Sequence, residues 1–186
     1  MRTLNFAAAG LAFLVLRGLS VAAPEGSNLL LNPSFEEAGE GHVPSHWRSD
    51  CSGGSTAGRV TGVAHTGIAS GHLVKVADGR SHVAALVFPR IEVQGGAEYT
   101  LSGWGKGQVQ AGQANLFLYQ YDRENRWLGN YFVCPVPARA ERWMPLHCTD
   151  RVRPDCAWVQ VLKRSSPGPS AGFAGISPIT PNGMRI

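Results

Sequence analysis

Ala157-Trp158-Val159-Gln160-Val161-Leu162-Lys163 is the stretch from which the fold can be read. Ala157, Val159 and Val161 form one small apolar face, while Trp158, Gln160 and Leu162 point the other way. A period of two with one plainly apolar side is the pattern of a strand laid on a core. The same alternation recurs upstream. In Tyr99–Trp104 it sets Tyr99, Leu101 and Gly103 against Thr100, Ser102 and Trp104. In Asn115–Tyr121 it sets Phe117, Tyr119 and Tyr121 against Leu116, Leu118 and Gln120. Both sides are apolar there, which predicts a central strand.

Shorter runs fill the rest. They are Asn28–Leu31, a segment around Trp47 after Pro44, His72–Val76, His82–Phe88, Trp127–Val133, Trp143–Cys148 and a last one at Gly172–Ile176. Asn32-Pro33, the loop Ser52–Gly58, Asp78-Gly79, Pro89, Gly95-Gly96 and Asp122–Asn125 punctuate them as turns and loops. From residue 28 onward no segment keeps a 3.6-residue period with helix caps. About nine short strands at regular spacing predict an all-β sandwich of antiparallel sheets.

Composition agrees. Hydrophobic residues make up 44% of the 186, and charged residues only 16%, which excludes a disordered or charge-studded helical chain. The 23 glycines and 12 prolines suit many turns. Residues 1–22 read as a secretory signal peptide: Arg2, an apolar run from Phe6 to Leu16, then Ser20-Val21-Ala22. That run is shorter than the roughly 20 residues needed to span a bilayer. Arg17 interrupts the pattern. Removal of the signal also removes Arg2 and Arg17, leaving 15 basic and 13 acidic residues, a net of +2. So small a charge gives no case for nucleic acid or anionic lipid. The expected layout is a signal over 1–22, a module over 23–177 and a loose tail over 178–186, with a secreted, extracellular or periplasmic location.

Cys51, Cys134, Cys148 and Cys156 are even in number in an exported chain, so disulfides are expected. Three pairings are open. Cys148 with Cys156 is preferred, as the closure of a hairpin, which leaves Cys51 with Cys134. No CxxC spacing suggests zinc.

Several motifs carry a resemblance. Asn28-Leu29-Leu30-Leu31-Asn32-Pro33-Ser34-Phe35-Glu36, followed by Pro44 and Trp47, resembles the opening of the CenC-like carbohydrate-binding modules, the group spanning families 4, 9, 16 and 22. His65–Gly71, Val93–Trp104, Leu118–Asp122 with Leu128-Gly129, Trp143 and Pro154 follow in the family's order. The similarity covers residues 28 to 177. It implies a galactose-binding-like jelly roll with a sugar-binding face, usually attached to a glycoside hydrolase. It also implies a structural calcium held in part by Glu36. The family's closing aspartates are missing, because Phe173-Ala174-Gly175-Ile176 stands in their place; this weakens the calcium site, since calcium wants six to eight oxygen ligands.

Sugars pack their C–H faces on aromatic rings and exchange hydrogen bonds with planar polar side chains. Trp158 with Gln160 fits this need, as does Trp104 beside Ser102. Gln120 joins them if Phe117, Tyr119 and Tyr121 fill the core, and Tyr121 is itself a candidate. Trp47 and Trp143 read as core; Trp127 and Tyr131 flank a turn. Glu36, Glu37 and Glu40 lie on a loop, and Asp150 and Asp155 lie among arginines, so neither group suggests a buried acid–base pair. No catalytic or phosphate-binding motif occurs. The reading is non-catalytic polysaccharide or oligosaccharide binding, ancillary to a glycoside hydrolase. The rival readings are a structural or adhesion domain that binds protein or cell surface, and a jelly-roll esterase or lyase.

Overall fold

The computed structural model describes residues 28–76, 78, 80–109, 113–137, 139–165 and 172–177. The expected signal over 1–22 and the tail over 178–186 lie outside these residues. Among the described residues there are eleven strands and no helix. The strands are β1 (Arg48–Cys51), β2 (Thr56–Thr61), β3 (Ala69–Lys75), β4 (Ala84–Val87), β5 (Ile91–Glu92), β6 (Glu98–Val109), β7 (Ala114–Tyr121), β8 (Trp127–Val136), β9 (Arg139–Arg151), β10 (Trp158–Ser165) and β11 (Gly172–Ser177).

They form two antiparallel sheets. One runs β1-β4-β10-β7-β8, with β5 also paired to β10; the other runs β2-β3-β11-β6-β9. The sandwich expected from the alternation is present. Its core takes Leu73 from β3, Leu86 from β4, Leu101 from β6, Leu116 and Leu118 from β7, Phe132 from β8 and Val159 and Val161 from β10. The inward residues of β10 and β6 are those the period of two picks out.

The expected entry strand at Asn28–Leu31 is not a strand. The Asn28 side-chain oxygen accepts the Leu30 N–H at 3.1 Å, and such local bonds compete with a ladder. The segment Ser52–Gly58, expected as a loop, already contains the start of β2.

The opening motif is a structural knot. Asn32 donates its amide to the carbonyls of Glu37 (2.8 Å) and Ser45 (3.1 Å), and its oxygen accepts the Glu37 N–H. This fold-back seats Phe35 in the core against Trp47, ring centroids 5.1 Å apart. Lys163 lies beneath them, 1% exposed, with Nζ 3.7 Å from the centre of the Phe35 ring. Burial pulls its pKa well below the usual lysine range.

The disulfide pairing differs from the expected one. Cys134 on β8 bonds to Cys148 on β9, with Cα atoms 5.9 Å apart, while Cys51 and Cys156 are free thiols. The physical reason is topological. Cys148 is paired to Leu101 in the five-stranded sheet, whereas Cys156 precedes β10 of the other sheet. The segment between them is a crossover and not a hairpin, so the Cys148–Cys156 and Cys51–Cys134 bonds do not form. The actual bridge staples one sheet to the other.

Candidate functional site

The outer face of the six-stranded sheet is built by residues of opposite parity to the core set. On β10 these are Trp158, Gln160, Leu162 and Arg164; on β7 they are Tyr121, Tyr119, Phe117 and Asn115, each directly opposite its partner. Ala85 and Val87 of β4 continue the face, followed by Asp50 and Arg48 of β1. Ala85, Val87, Phe117 and Leu162 form a second apolar cluster, buried although it points away from the sandwich core.

Above this floor the rings are ordered. Tyr121 and Trp158 stack with centroids 3.9 Å apart and planes 4° from parallel. The Arg90 guanidinium lies 5.1 Å from the Trp158 ring centre. Because β10 has β7 on one side and β5 on the other, Tyr121 and Arg90 cover opposite faces of the indole. Trp158 therefore acts as a wall and leaves neither flat side open. Trp127 is the most exposed aromatic ring among the described residues, at 60%; it meets Tyr119 at 6.0 Å and 60°.

Polar groups edge the rings. Arg164 donates Nη1 to the Tyr119 hydroxyl at 3.1 Å. Arg90 bonds Glu92 at 2.6 Å and Asn125 at 3.4 Å. Burial pushes the Tyr121 phenol up, the Tyr119 phenol adds to this, and the Arg48 charge opposes it. Trp158 Nε1 and Arg164 Nε are buried donors with no hydrogen-bond partner among the described residues, the kind of group that calls for an explanation.

Of the residues singled out from sequence, Trp158, Gln160 and Tyr121 share this face. Gln120 does not. It is fully buried, and its side-chain oxygen accepts the Arg153 N–H at 2.8 Å. The reading required Phe117, Tyr119 and Tyr121 to fill the core, but Leu116 and Leu118 do so, and Gln120 shares their parity. Trp104 lies on the other sheet. The His65 ring stacks on it at 3.8 Å and 12°, and His65 meets Trp143 edge-on at 6.3 Å. Trp143 is thus half-buried outside the core, unlike Trp47. Arg48, Arg90, Arg164 and Tyr119 were not singled out. Arg164 and Tyr119 were findable, because each continues the outward parity of its strand. Arg48 and Arg90 arrive only through topology.

No protein-family model matches the chain, and no curated protein does either. Solved structures do match. A family 16 carbohydrate-binding module superposes with a TM-score of 0.61 at 13% identity, covering 86% of this chain and 100% of that one. The CBM22-1 xylan-binding domain from Paenibacillus barcinonensis Xyn10C gives 0.56 at 16%, covering 88% and 97%. The fold is that of the jelly-roll carbohydrate-binding modules. The enzymatically active domain of bacteriophage CBA120 tailspike protein 4 also matches, at 0.61 and 16%, over 81% of this chain. This chain spans only 20% of that tailspike.

The calcium implied by the family resemblance does not suit the residues of this jelly roll. The Glu36 carboxylate already accepts the N–H groups of Ile68 (3.1 Å) and Ala69 (3.3 Å). The carbonyls of Phe35 and Glu36 take the Arg59 guanidinium, from Nε at 2.6 Å and Nη2 at 3.0 Å. The Arg59 guanidinium thus already places a positive charge on these two carbonyl oxygens. Among the described residues no three His, Cys, Asp or Glu side chains converge.

Proposed function

We propose that the chain is a non-catalytic polysaccharide-binding module that uses the outer face of its six-stranded sheet. The observation that carries this reading is the alignment of Trp127, Tyr119, Tyr121 and Trp158 along one face, with Gln160 and guanidinium groups between and beside them. Trp127 offers the ring surface for the sugar C–H face. The stacked Tyr121–Trp158 pair forms a rigid wall, and the Gln160 amide and the arginine groups meet hydroxyls. The fold supports it, as does the xylan-binding description of one structural neighbour. We further propose that the chain is exported, as its first 22 residues suggest, and works beside a glycoside hydrolase. Single-module affinity is low and improves when modules act together.

Affinity electrophoresis against xylan, β-glucan, mannan, cellulose and chitin tests the proposal. Retardation of the wild type and its loss in Trp127→Ala, with Trp104→Ala unaffected, is the expected outcome. Failure of every glycan to slow the wild type overturns the reading and leaves an adhesion role on the same sandwich.

A further inference from the structure

The charges on this face are unevenly matched. Glu92 is held by Arg90 at 2.6 Å. At the neighbouring turn, Asp122 and Glu124 are both held by Arg126, at 2.6 and 3.4 Å. Arg48 and Arg164, by contrast, make no ion pair among the described residues. Among the described residues, Asp50 is the remaining acid on the face. It is exposed and sits across Ala85 from Arg164 without reaching ion-pair distance.

Arg164 is half-buried, and a guanidinium withdrawn from water normally finds an anion. One of its five donors is used, by the Tyr119 hydroxyl. Arg48 stands on the same outward face, across Val87 of β4 from Leu162 of β10, and its charge opposes the upward shift of the Tyr121 phenol. Tyr119 and Tyr121 are successive outward residues of β7, so their Cβ atoms stand roughly 7 Å apart. Two guanidinium groups that make no ion pair among the described residues therefore share one face with two neighbouring phenols, at the edge of an aromatic surface. Aromatic rings alone suffice for neutral sugar, and neutral hydroxyls do not require two uncompensated cations. A planar oxyanion takes such donors in pairs, with charge assistance.

We infer that the glycan bound on this face is acidic, with its carboxylate or sulfate ester seated between Arg48 and Arg164 and its sugar rings over Trp127 and Tyr119. This rests on the binding function proposed above and names the substrate class for that site.

The experiment uses the full chain in affinity electrophoresis and titration calorimetry. The probes are polygalacturonate and alginate as carboxylate polymers, carrageenan as a sulfate ester, carboxyl-reduced polygalacturonate, mannan and neutral β-glucan. Binding of a carboxylate polymer that disappears on carboxyl reduction identifies the carboxylate as the anion; binding of carrageenan alone identifies the sulfate ester. Either polymer should bind about tenfold more weakly to Arg164→Gln, the loss of roughly one charge-assisted hydrogen bond. Arg48→Gln, at an exposed position with no fold to disturb, should lose binding in the same direction. Arg139→Gln removes the same charge from an exposed site on the other sheet and should leave binding intact. Equal loss in Arg139→Gln makes the attraction a matter of net charge and overturns the inference. Neutral β-glucan or mannan binding as tightly as the acidic polymers also overturns it, and leaves the binding function standing. No retardation by any polymer brings down both.

Discussion

Each sheet of the sandwich carries tryptophan on its outer face, and the two faces end differently. On the five-stranded sheet, Trp104 is capped by the parallel ring of His65, and Trp143 closes the group edge-on. On the six-stranded sheet, the Tyr121–Trp158 stack is bordered by guanidinium and amide groups, and Trp127 stands open. Outward indole by itself therefore does not mark a binding surface. What distinguishes the faces is whether a loop supplies the covering ring. The turn before β3 supplies it for Trp104, and none of the ring contacts on the other face does so for Trp127.

The disulfide joins the two sheets, so its loss should cost most. Reduction, or Cys134→Ser with Cys148→Ser, is expected to lower stability by about 3 kcal/mol, the size expected for a loop of this length. Denaturant melts with and without reductant measure it. Trp127→Ala is expected to weaken glycan binding by about 30-fold, near 2 kcal/mol, with an unchanged melting point. Trp104→Ala should do the reverse: lower the melting point and spare binding. If both variants lose binding alike, the contrast between the faces is broken.

Gly67→Ala sharpens the comparison from the covered side. Gly67 has φ +71°, which strains any other residue, and an added Cβ would meet the Glu36 carboxylate, displacing it from the Ile68 and Ala69 N–H groups. A loss of about 1–2 kcal/mol is expected, read by chemical denaturation, with binding at the other face retained. Lys163 gives a pH signature. Its folded pKa is depressed and its unfolded value is near 10.5, so between the two the unfolded chain holds the extra proton. Stability relative to Lys163→Met should then rise as pH climbs through that window; a flat difference from pH 6 to 10 would contradict it. The smallest expected effect is that of chelation. Arg59 already fills the Phe35 and Glu36 carbonyls, so EDTA and added calcium should each leave the melting point unmoved.

The legible parts of the sequence were those where one face of a strand is plainly apolar. Val159 and Val161 against Trp158 and Gln160 settle β10, and Tyr99 and Leu101 settle β6. β7 misleads because its outer face carries Phe117, part of the second apolar cluster, so hydrophobicity does not distinguish its sides; Gln120 was placed on the wrong one. The cysteine pairing failed for a different reason. Residues 152–157 cross between sheets, and nothing local distinguishes that crossover from a hairpin turn. Arg48 and Arg90 reach the face only because β1 and β5 flank the β4–β10 region, an adjacency with no trace in local pattern.

The position of β11 has a consequence for synthesis. It is the last of the described strands in chain order, yet it lies between β3 and β6, pairing with both. Until the ribosome has delivered Gly172–Ser177, these two strands each show a bare hydrogen-bonding edge toward the gap. Edges of that kind recruit other chains. The nascent polypeptide is thus exposed to aggregation in the interval before Gly172–Ser177 emerges, and a truncation just short of Gly172 should yield insoluble material rather than a weakened module.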